Sequence, residues 1–291
     1  MRQNDYPLLA SMTMTNLQSW LEKSVILLEN SETPNMEAQV LASFCLGKTR
    51  EWVISHPEFE IPAEKINEMK LSLNRLVKGE PLPYITGKQA FYGLEFIVSP
   101  AVLIPRPETE LLVEEAISWL ESRPNRRKVV DICTGSGIIA ITLADTFPQA
   151  IFTATDISND ALEIARRNSQ EHRVDDKITF INSDVLEGIE GKFDLIVSNP
   201  PYIPTAKLAE LPVVQFEPRL ALDGGEDGLS ITRKIFMESK EKLLPGGVIF
   251  IEIESTLGSA TMELARDFFA DAEIELLFDY ANLPRVVRIQ R

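Results

Sequence analysis

The fold is restricted most strongly by an apolar run that ends in two prolines, Leu195-Ile196-Val197-Ser198-Asn199-Pro200-Pro201-Tyr202. The run Leu195–Val197 is too short for a helix and suits a parallel strand that is buried on both faces. Pro200 and Pro201 have a fixed φ and no N–H, so the chain leaves this strand stiffly, with carbonyl acceptors but few donors. Because open α/β sheets bind ligands at the carboxyl ends of their strands, the pattern predicts an α/β fold with a binding corner at Asn199.

The groups at this corner suit a planar NH2. The side-chain oxygen of Asn199 and the carbonyl oxygen of Pro200 can accept both N–H bonds of an amide or aromatic amine, while Tyr202 packs on the flat group. Such a nitrogen is a poor nucleophile because its lone pair is delocalised, so positioning must supply much of the catalysis. We therefore predict catalytic roles for Asn199, Pro200 and Tyr202. The alternative is a proline-rich turn that follows a core strand.

A second segment, Val129-Val130-Asp131-Ile132-Cys133-Thr134-Gly135-Ser136-Gly137, predicts a strand, a glycine turn and then a helix. Glycines allow the backbone to approach a ligand closely, and the N–H groups of the helix start face that ligand. The full pyrophosphate pattern Gly-x-Gly-x-x-Gly is missing. This absence favours a nucleoside ligand without pyrophosphate, for which S-adenosylmethionine is the natural candidate.

Two further aspartates follow predicted strands. Asp156 can accept both hydroxyls of a ribose, and Asp184 can accept an adenine amino group, with Ile157 and Val185 as apolar walls. Each aspartate could instead be a helix N-cap. Three of them at successive strand ends, counting Asp131, favour a cofactor site.

The length of 291 residues predicts two domains with a large core. Residues 1–80 are predicted to be helical, with helices at about 15–29, 34–47, 49–55 and 62–79, the first with Thr15 and Gln18 at capping-box spacing. Residues 81–106 carry Pro81, Pro83, Gly87 and Gly93 among short β-like runs and predict a β-hairpin connector. Residues 107–291 predict an α/β catalytic domain.

Composition limits the possible partners. The net charge is −15, of which residues 1–90 contribute −2 and the remainder −13. An acidic main domain is a poor match for a phosphate backbone, which argues against nucleic acid as a direct partner. Cys45 and Cys133 are far apart beside apolar residues, as free thiols in a reducing compartment are, and without paired Cys/His spacing no metal site is expected. No signal pattern and no apolar stretch near about 18 residues is found, so a cytoplasmic protein without membrane contact is expected.

The chain resembles the release-factor glutamine methyltransferases, the HemK-like group of S-adenosylmethionine-dependent enzymes. The similarity covers nearly the whole chain and includes the segments Gly79–Tyr84, Phe91–Leu94, Ile104–Glu110, Asp131–Gly137, Asp156–Ser158, Asn199–Tyr202, Phe216–Pro218 and Arg285–Val287. Asn-Pro-Pro-Tyr is shared with enzymes that methylate adenine and guanine amino groups, so it indicates the reaction class only. The Ile104–Glu110 segment together with Phe216–Pro218 is far more specific.

The resemblance implies a Rossmann-like class I methyltransferase domain behind a small N-terminal helical bundle. It implies methylation of the side-chain amide nitrogen (N5) of the glutamine in the Gly-Gly-Gln loop of peptide chain release factors 1 and 2, with S-adenosylhomocysteine as product. The helical domain would hold the release factor. The cofactor-binding residues expected are Asp131, Cys133, Thr134, Gly135, Ser136, Gly137, Asp156, Ile157, Asp184, Val185 and Asn199, and the substrate-binding residues are Asn199, Pro200, Pro201, Tyr202, Phe91 and Arg106.

Two positions depart from the family pattern. Cys133 stands where glycine is usual, and Glu252-Ile253-Glu254-Ser255 lacks the glycine that commonly follows Glu-Ile. Arg106 and Glu108 either reach the active site or only order the start of the following helix. A nucleic-acid amino-methyltransferase and a non-catalytic scaffold are the alternative functions, and the acidic charge and the intact Asp131, Asp156, Asp184 and Asn199 argue against them.

Overall fold

The computed structural model describes residues 16–291 and divides the chain into two units. The first unit ends at Gly87, and the second runs from Lys88 to Arg291. Thr15, the predicted cap of the first helix, lies outside the described residues. Within them, Asn16 caps that helix, because its side chain accepts the Ser19 N–H at 2.9 Å.

The first unit is helical throughout its described part. Its apolar residues recur at helical spacing and meet in one core, where Leu17, Trp20, Leu41, Met69 and Leu73 are almost fully buried. The helices are α1 (Leu17–Leu27), α2 (Pro34–Leu46), α3 (Arg50–Ser55), α4 (Ala63–Val77) and α5 (Leu82–Thr86).

Helix α5 corrects the predicted connector. Residues 82–86 were expected to belong to a hairpin segment but form a helical turn that ends at Gly87, whose φ is +75°. Pro81 and Pro83 explain the difference, because a proline is tolerated in the first turn of a helix. The hairpin itself is present in the second unit, as β1 (Lys88–Phe91) and β2 (Leu94–Ile97), joined by Tyr92 and Gly93 with positive φ.

Seven strands form the sheet of the second unit, in the order β5-β4-β3-β6-β7-β9-β8. The first five in this order are parallel, whereas β9 pairs antiparallel with both β7 and β8. The strands are β3 (Lys128–Ile132), β4 (Ile151–Asp156), β5 (Ile178–Asn182), β6 (Phe193–Ser198), β7 (Leu243–Glu252), β8 (Glu273–Phe278) and β9 (Pro284–Gln290).

Helices cover both faces of this sheet because successive side chains of a strand point to opposite faces. On one face, Val129 and Leu195 pack with Leu112; on the other, Val130 and Ile196 belong to the core that contains Phe236. The helices are α6 (Thr109–Glu121), α7 (Ile138–Thr146), α8 (Asn159–Glu171), α9 (Thr205–Leu208), α10 (Ser230–Lys242) and α11 (Gly258–Phe268). None of the helices in residues 16–291 is long and apolar enough to cross a membrane.

Strand β7 begins at Leu243, ahead of its apolar run Val248–Ile251. It takes in the turn residues Pro245, Gly246 and Gly247, and the register shifts between the pairs Phe193↔Leu243 and Leu195↔Val248. Arg126 stabilises this irregularity, since its guanidinium donates to the Asp194 carboxylate and to the Pro245 carbonyl, both at 2.8 Å. Turn residues can therefore be taken into a strand as a bulge.

Candidate active site

One cavity lies at the carboxyl ends of the parallel strands in the second unit. It brings together most of the predicted cofactor residues and three of the predicted substrate residues. Those that line it are Arg106, Cys133, Thr134, Gly135, Ser136, Asp156, Ile157, Asp184, Val185, Asn199 and Pro201. All of these except Arg106 come from the carboxyl ends of β3, β4, β5 and β6 or the segments that follow them, so the sheet itself assembles most of the site.

The glycine turn between β3 and α7 is built from left-handed backbone. Cys133, Gly135 and Gly137 have φ values of 60°, 56° and 85°. The positive φ at Cys133 explains why glycine suits this position, and it places a strained non-glycine residue against the cavity. Gly137 does not line the cavity, which corrects its predicted contact with the cofactor. Its left-handed φ and the 3.1 Å between an added Cβ and Ala165 Cβ favour glycine here for the turn and for packing.

Asp131 does not reach the cavity, which corrects its predicted contact with the cofactor. Its side chain is fully buried, and Oδ2 accepts the Thr134 hydroxyl at 2.6 Å and the Ala140 N–H at 3.2 Å. Burial raises the pKa of this carboxyl to about 7. Asp131 therefore orders the glycine turn from the side that faces away from the cavity.

Asp156 faces the cavity at the end of β4. Its Oδ2 accepts the Gly135 N–H and its Oδ1 accepts the Ser158 N–H, each at 2.9 Å. Burial raises the pKa of Asp156, while these backbone N–H donors act in the opposite direction. Each carboxylate oxygen retains acceptor capacity, so the group is oriented and still able to accept two vicinal hydroxyls.

The next strand end supplies a charged pair and two apolar groups. Asp184 lies 2.7 Å from the Nζ of Lys234, so its predicted role as acceptor for an adenine amino group is shared with an ion pair. Val185 is buried with φ 62°, and Ile157, which follows the neighbouring strand β4, is half exposed. Both apolar side chains line the cavity.

The Asn199 corner follows β6 directly. The Nδ2 of Asn199 donates to the Thr109 hydroxyl oxygen at 3.1 Å, which turns the Asn199 carbonyl oxygen away from Thr109. Pro200 is buried, and neither Pro200 nor Tyr202 lines the cavity. Burial raises the pKa of the Tyr202 hydroxyl, so this side chain stays neutral.

The glycine-rich loop after Tyr202 fixes the backbone of the corner. A Cβ on Gly224 would lie 2.7 Å from Tyr202 Cα, and one on Gly228 would lie 2.5 Å from the Tyr202 carbonyl oxygen. Only glycine permits this approach. The loop therefore packs against the Tyr202 backbone and fixes its position.

Arg106 connects the two segments that carry the most specific family resemblance. Its guanidinium lies 2.5 Å from the Glu217 carboxylate, which is almost fully buried and also accepts the Ile104 N–H at 3.4 Å. Arg106 thus both lines the cavity and holds the Phe216–Pro218 segment. Glu108 does not line the cavity and lies 3.8 Å from Arg285.

Phe91 is a wrong prediction as a substrate-binding residue. Its side chain is 2% exposed and packs with Phe96 in the core of the second unit. An apolar ring at the end of a short strand is drawn into the nearest core, and here that core lies beneath the hairpin.

Two residues at the corner were missed by sequence reasoning. Thr109, the first residue of α6, lines the cavity, and Glu252, the last residue of β7, is 2% exposed beside it. Burial raises the pKa of Glu252 to about 7, and hydrogen bonding by Thr109 and Asn199 opposes that rise. An acidic residue at the end of an apolar run is the pattern that indicates Asp131 and Asp156. Glu252 follows the apolar run Val248–Ile251 and fits the same pattern.

The donor set fits S-adenosylmethionine. A carboxylate placed for a ribose, an apolar pair at Ile157 and Val185, and exposed turn backbone suit a nucleoside with a short amino-acid tail. Among residues 16–291 no group of three or more His, Cys, Asp or Glu side chains is placed to hold a metal ion.

A mainly parallel sheet with a glycine turn after β3 and acceptors at successive strand ends defines the Rossmann-like methyltransferase class. A methyltransferase from Pyrococcus furiosus shares the fold with a TM-score of 0.51 and 21% identity, covering 69% of this chain and 90% of its own. A 16S rRNA N2 G1207 methyltransferase from T. thermophilus does so with a TM-score of 0.52 and 20% identity, covering 70% and 49%. The predicted fold class is confirmed.

Sequence comparison identifies the family. Residues 19–87 match the PrmC N-terminal domain, and residues 108–215 match the methyltransferase small domain. Release factor glutamine methyltransferases from Koribacter versatilis and Moorella thermoacetica are each 41% identical, covering 89% and 87% of this chain and 93% and 90% of their own lengths. The chain belongs to the release factor glutamine methyltransferase family, as its sequence predicted.

Proposed function

We propose that this protein transfers a methyl group from S-adenosylmethionine to the side-chain amide nitrogen of the glutamine in the Gly-Gly-Gln loop of peptide chain release factors. The observation that carries the proposal is that Asp156 and Asn199 line one cavity. A site for a nucleoside and a site for an amide are therefore open to each other. The family membership supports the same reaction.

The cofactor would be held by the glycine turn and by the ends of β4 and β5. Asp156 accepts the ribose hydroxyls, the turn at Thr134–Ser136 lies against the amino-acid part, and Ile157 and Val185 sandwich the adenine. When bound, S-adenosylmethionine supplies a methyl group on a positively charged sulfur. The side chains of Asp156 and Asp184 add negative charge to the same wall.

The substrate amide would be held by Asn199 and, at the inner edge of the same corner, by the Pro200 carbonyl oxygen, with Tyr202 supporting the plane of the group. Neither Pro200 nor Tyr202 lines the cavity itself, but Pro201 between them does. Because Nδ2 of Asn199 is used by Thr109, the free Oδ1 is the acceptor available to a substrate N–H. Holding both N–H bonds aims the nitrogen lone pair out of the amide plane, toward the cofactor side of the cavity. The nitrogen loses its proton to water once the new N–C bond has formed, so the chain need not supply a general base.

The substrates we propose are release factors 1 and 2. Arg106 would contact the residues beside the glutamine, because it lines the cavity with a side chain that is 36% exposed. The helical first unit matches the PrmC N-terminal domain. It would bind the release factor at a surface distant from the Gly-Gly-Gln loop.

Mass spectrometry tests the proposal directly. Purified release factor 1 or 2 is incubated with the protein and S-adenosylmethionine, and the peptides are mapped for added methyl. One methyl on the Gly-Gly-Gln glutamine is the expected result, and a release factor with that glutamine changed to alanine is the control. No gain, with cofactor binding confirmed by calorimetry, would refute the proposal and favour an amino group of a nucleic acid as the target.

A further inference from the structure

Glu252 lies next to Asn199, whose side-chain oxygen is the acceptor that the proposed function assigns to the substrate amide. Strands β6 and β7 are parallel neighbours with Ser198 opposite Ile251. The next residues, Asn199 and Glu252, therefore lie side by side at the carboxyl edge of the sheet. The carboxyl group is buried, and its Oε2 has no hydrogen-bond partner among the described residues. A buried carboxyl group is costly to retain, and this one does not line the cavity.

The orientation of the Asn199 amide decides whether the corner can bind an NH2 group. With Oδ1 directed to the substrate, Asn199 accepts an N–H; with the amide reversed, two NH2 groups would face each other. In the structure Nδ2 donates to the Thr109 hydroxyl oxygen at 3.1 Å. A hydroxyl group both donates and accepts, however, so Thr109 alone is compatible with either orientation.

An ionised carboxylate removes this ambiguity because it only accepts. Burial raises the pKa of Glu252, and Thr109 and Asn199, acting as hydrogen-bond donors toward this carboxyl, offset part of that rise, as expected for donors aimed at an anion. If Thr109 gives its hydroxyl hydrogen to Glu252, only its oxygen lone pairs remain for Asn199. The three side chains then form a chain of hydrogen bonds with one direction.

Given the proposed transfer to an amide nitrogen, on which this role rests, we propose that ionised Glu252 is a positioning residue. It fixes the Thr109 hydroxyl as a donor to the carboxylate and thereby directs the Asn199 carbonyl oxygen toward the substrate. Glu252 acts on Asn199 through the Thr109 hydroxyl and through Nδ2 of Asn199 itself. Neither Thr109 nor Glu252 takes part in the methyl transfer itself. The result is selectivity for a ligand that presents N–H donors at this point.

The direction of the chain depends on pH. Burial raises the pKa of Glu252 to about 7, Glu108 acts in the same sense, and Arg285 acts against it. Tyr202 also interacts with this carboxyl, and burial raises the pKa of Tyr202 so that it stays neutral. A protonated Glu252 can itself donate to Thr109, which frees the hydroxyl hydrogen to face Asn199.

The test compares variants of the full chain with release factor as substrate. Thr109→Val, which keeps the shape of the side chain, is expected to lower kcat about tenfold, the effect of one lost hydrogen bond, with cofactor Kd changed less than about threefold. Thr109→Ser keeps the hydroxyl and is expected to retain the wild-type kcat. Thr142→Val is the matched control, because Thr142 is equally buried and its hydroxyl has no hydrogen-bond partner within residues 16–291.

Glu252→Gln keeps the volume of the side chain and removes the titration. We expect kcat of the wild type to rise as the pH increases through about 7, and that rise to be absent in Glu252→Gln. The double variant with Thr109→Val is expected to be no slower than Thr109→Val alone, because both changes break the same chain.

The failure of this role and the failure of the proposed function are distinguishable. Absence of methyl transfer by the wild type would overturn the proposed function. Wild-type transfer together with an unchanged kcat in Thr109→Val, or an unchanged pH rise in Glu252→Gln, would overturn the positioning role alone. If Thr109→Val does not fold, the pH profile of Glu252→Gln decides.

Discussion

At the scale of single residues, Asn199 separates binding of the cofactor from chemistry. Asn199→Ala removes the acceptor for the substrate amide but leaves Asp156 and the glycine turn unchanged. We expect cofactor affinity to stay within about threefold and methyl transfer to fall by about a thousandfold, as for the loss of a precisely placed hydrogen-bonding group. Calorimetry with S-adenosylmethionine and a radiometric transfer assay measure the two quantities. Normal transfer by this variant would show that Asn199 does not hold the amide.

A second prediction at this scale concerns pH and the stability of the fold. The pKa of Glu252 is raised from its usual 4.5 to about 7, so the folded protein retains a proton that the unfolded chain releases between these values. As the pH rises through this window, the wild type therefore loses unfolding free energy at this site. Glu252→Gln cannot ionise and does not lose it.

The unfolding free energy of Glu252→Gln minus that of the wild type should thus be about 2 kcal/mol larger at pH 8 than at pH 5.5. Urea unfolding of both proteins at the two pH values measures this difference. Asp194→Asn is the comparison variant, because hydrogen bonding and charge at Arg126 lower the pKa of Asp194 and this group is ionised in both the folded and the unfolded protein at the two pH values. Its stability relative to the wild type should therefore be the same at pH 5.5 and at pH 8. An equal difference at both pH values for Glu252→Gln would contradict the assigned pKa shift.

The sequence identifies polar groups at strand ends but does not determine which of them reach the cavity. Asp131 lies one residue before the end of β3 and Asp156 ends the neighbouring strand β4, yet Asp131 packs beneath the glycine turn and Asp156 faces the cavity. The difference lies in the left-handed path through Cys133, which reverses the direction of the chain within a few residues. Burial of Glu252 depends on the start of α6, more than 140 residues earlier in the sequence, and local pattern contains no information on that contact.

At the scale of elements, the ion pair between Arg106 and Glu217 joins two distant segments at the site. Arg106→Met leaves Glu217 buried without its charged partner, and we expect a loss of about 1 to 3 kcal/mol of unfolding free energy, less than for a fully buried pair because Arg106 is 36% exposed. Chemical denaturation measures it. Arg219→Met is the control, since its pair with Asp223 is more exposed and should cost less than about 1 kcal/mol.

The double variant Arg106→Met with Glu217→Leu should recover part of the loss, because no unpaired charge is left in the interior. A double variant less stable than Arg106→Met would mean that the Ile104 N–H contact, and not the charge pair, is the main role of Glu217.

Sequence patterns located most elements within a few residues, and the exceptions have physical causes. Helix α5 was missed because five residues are too few for a periodic signal, and its prolines are typical of turns as well as of helix starts. The early start of β7 depends on Arg126, which packs on it from a different part of the chain. Contacts of that kind override local propensity.

At the scale of the whole molecule, the cofactor cavity belongs to one unit. Every residue that lines it lies between Ala101 and Ile231, within the unit from Lys88 to Arg291. A protein of residues 88–291 is expected to bind S-adenosylmethionine within about threefold of the full chain and to methylate release factor with a raised KM. Calorimetry and transfer kinetics measure both effects. An unchanged KM would assign the contact with the release factor to the second unit alone.

The position of β9 also governs how the chain can fold as it is synthesised. Strand β8 emerges first but does not pair with β7, because β9 lies between them and bonds to both. Until the residues from Pro284 onward have left the ribosome, β7 presents an unpaired edge whose Val248–Ile251 run is almost wholly apolar. Such edges are sites of aggregation, so a chain cut short before Pro284 would be a target for chaperones and proteases instead of a slightly weakened enzyme.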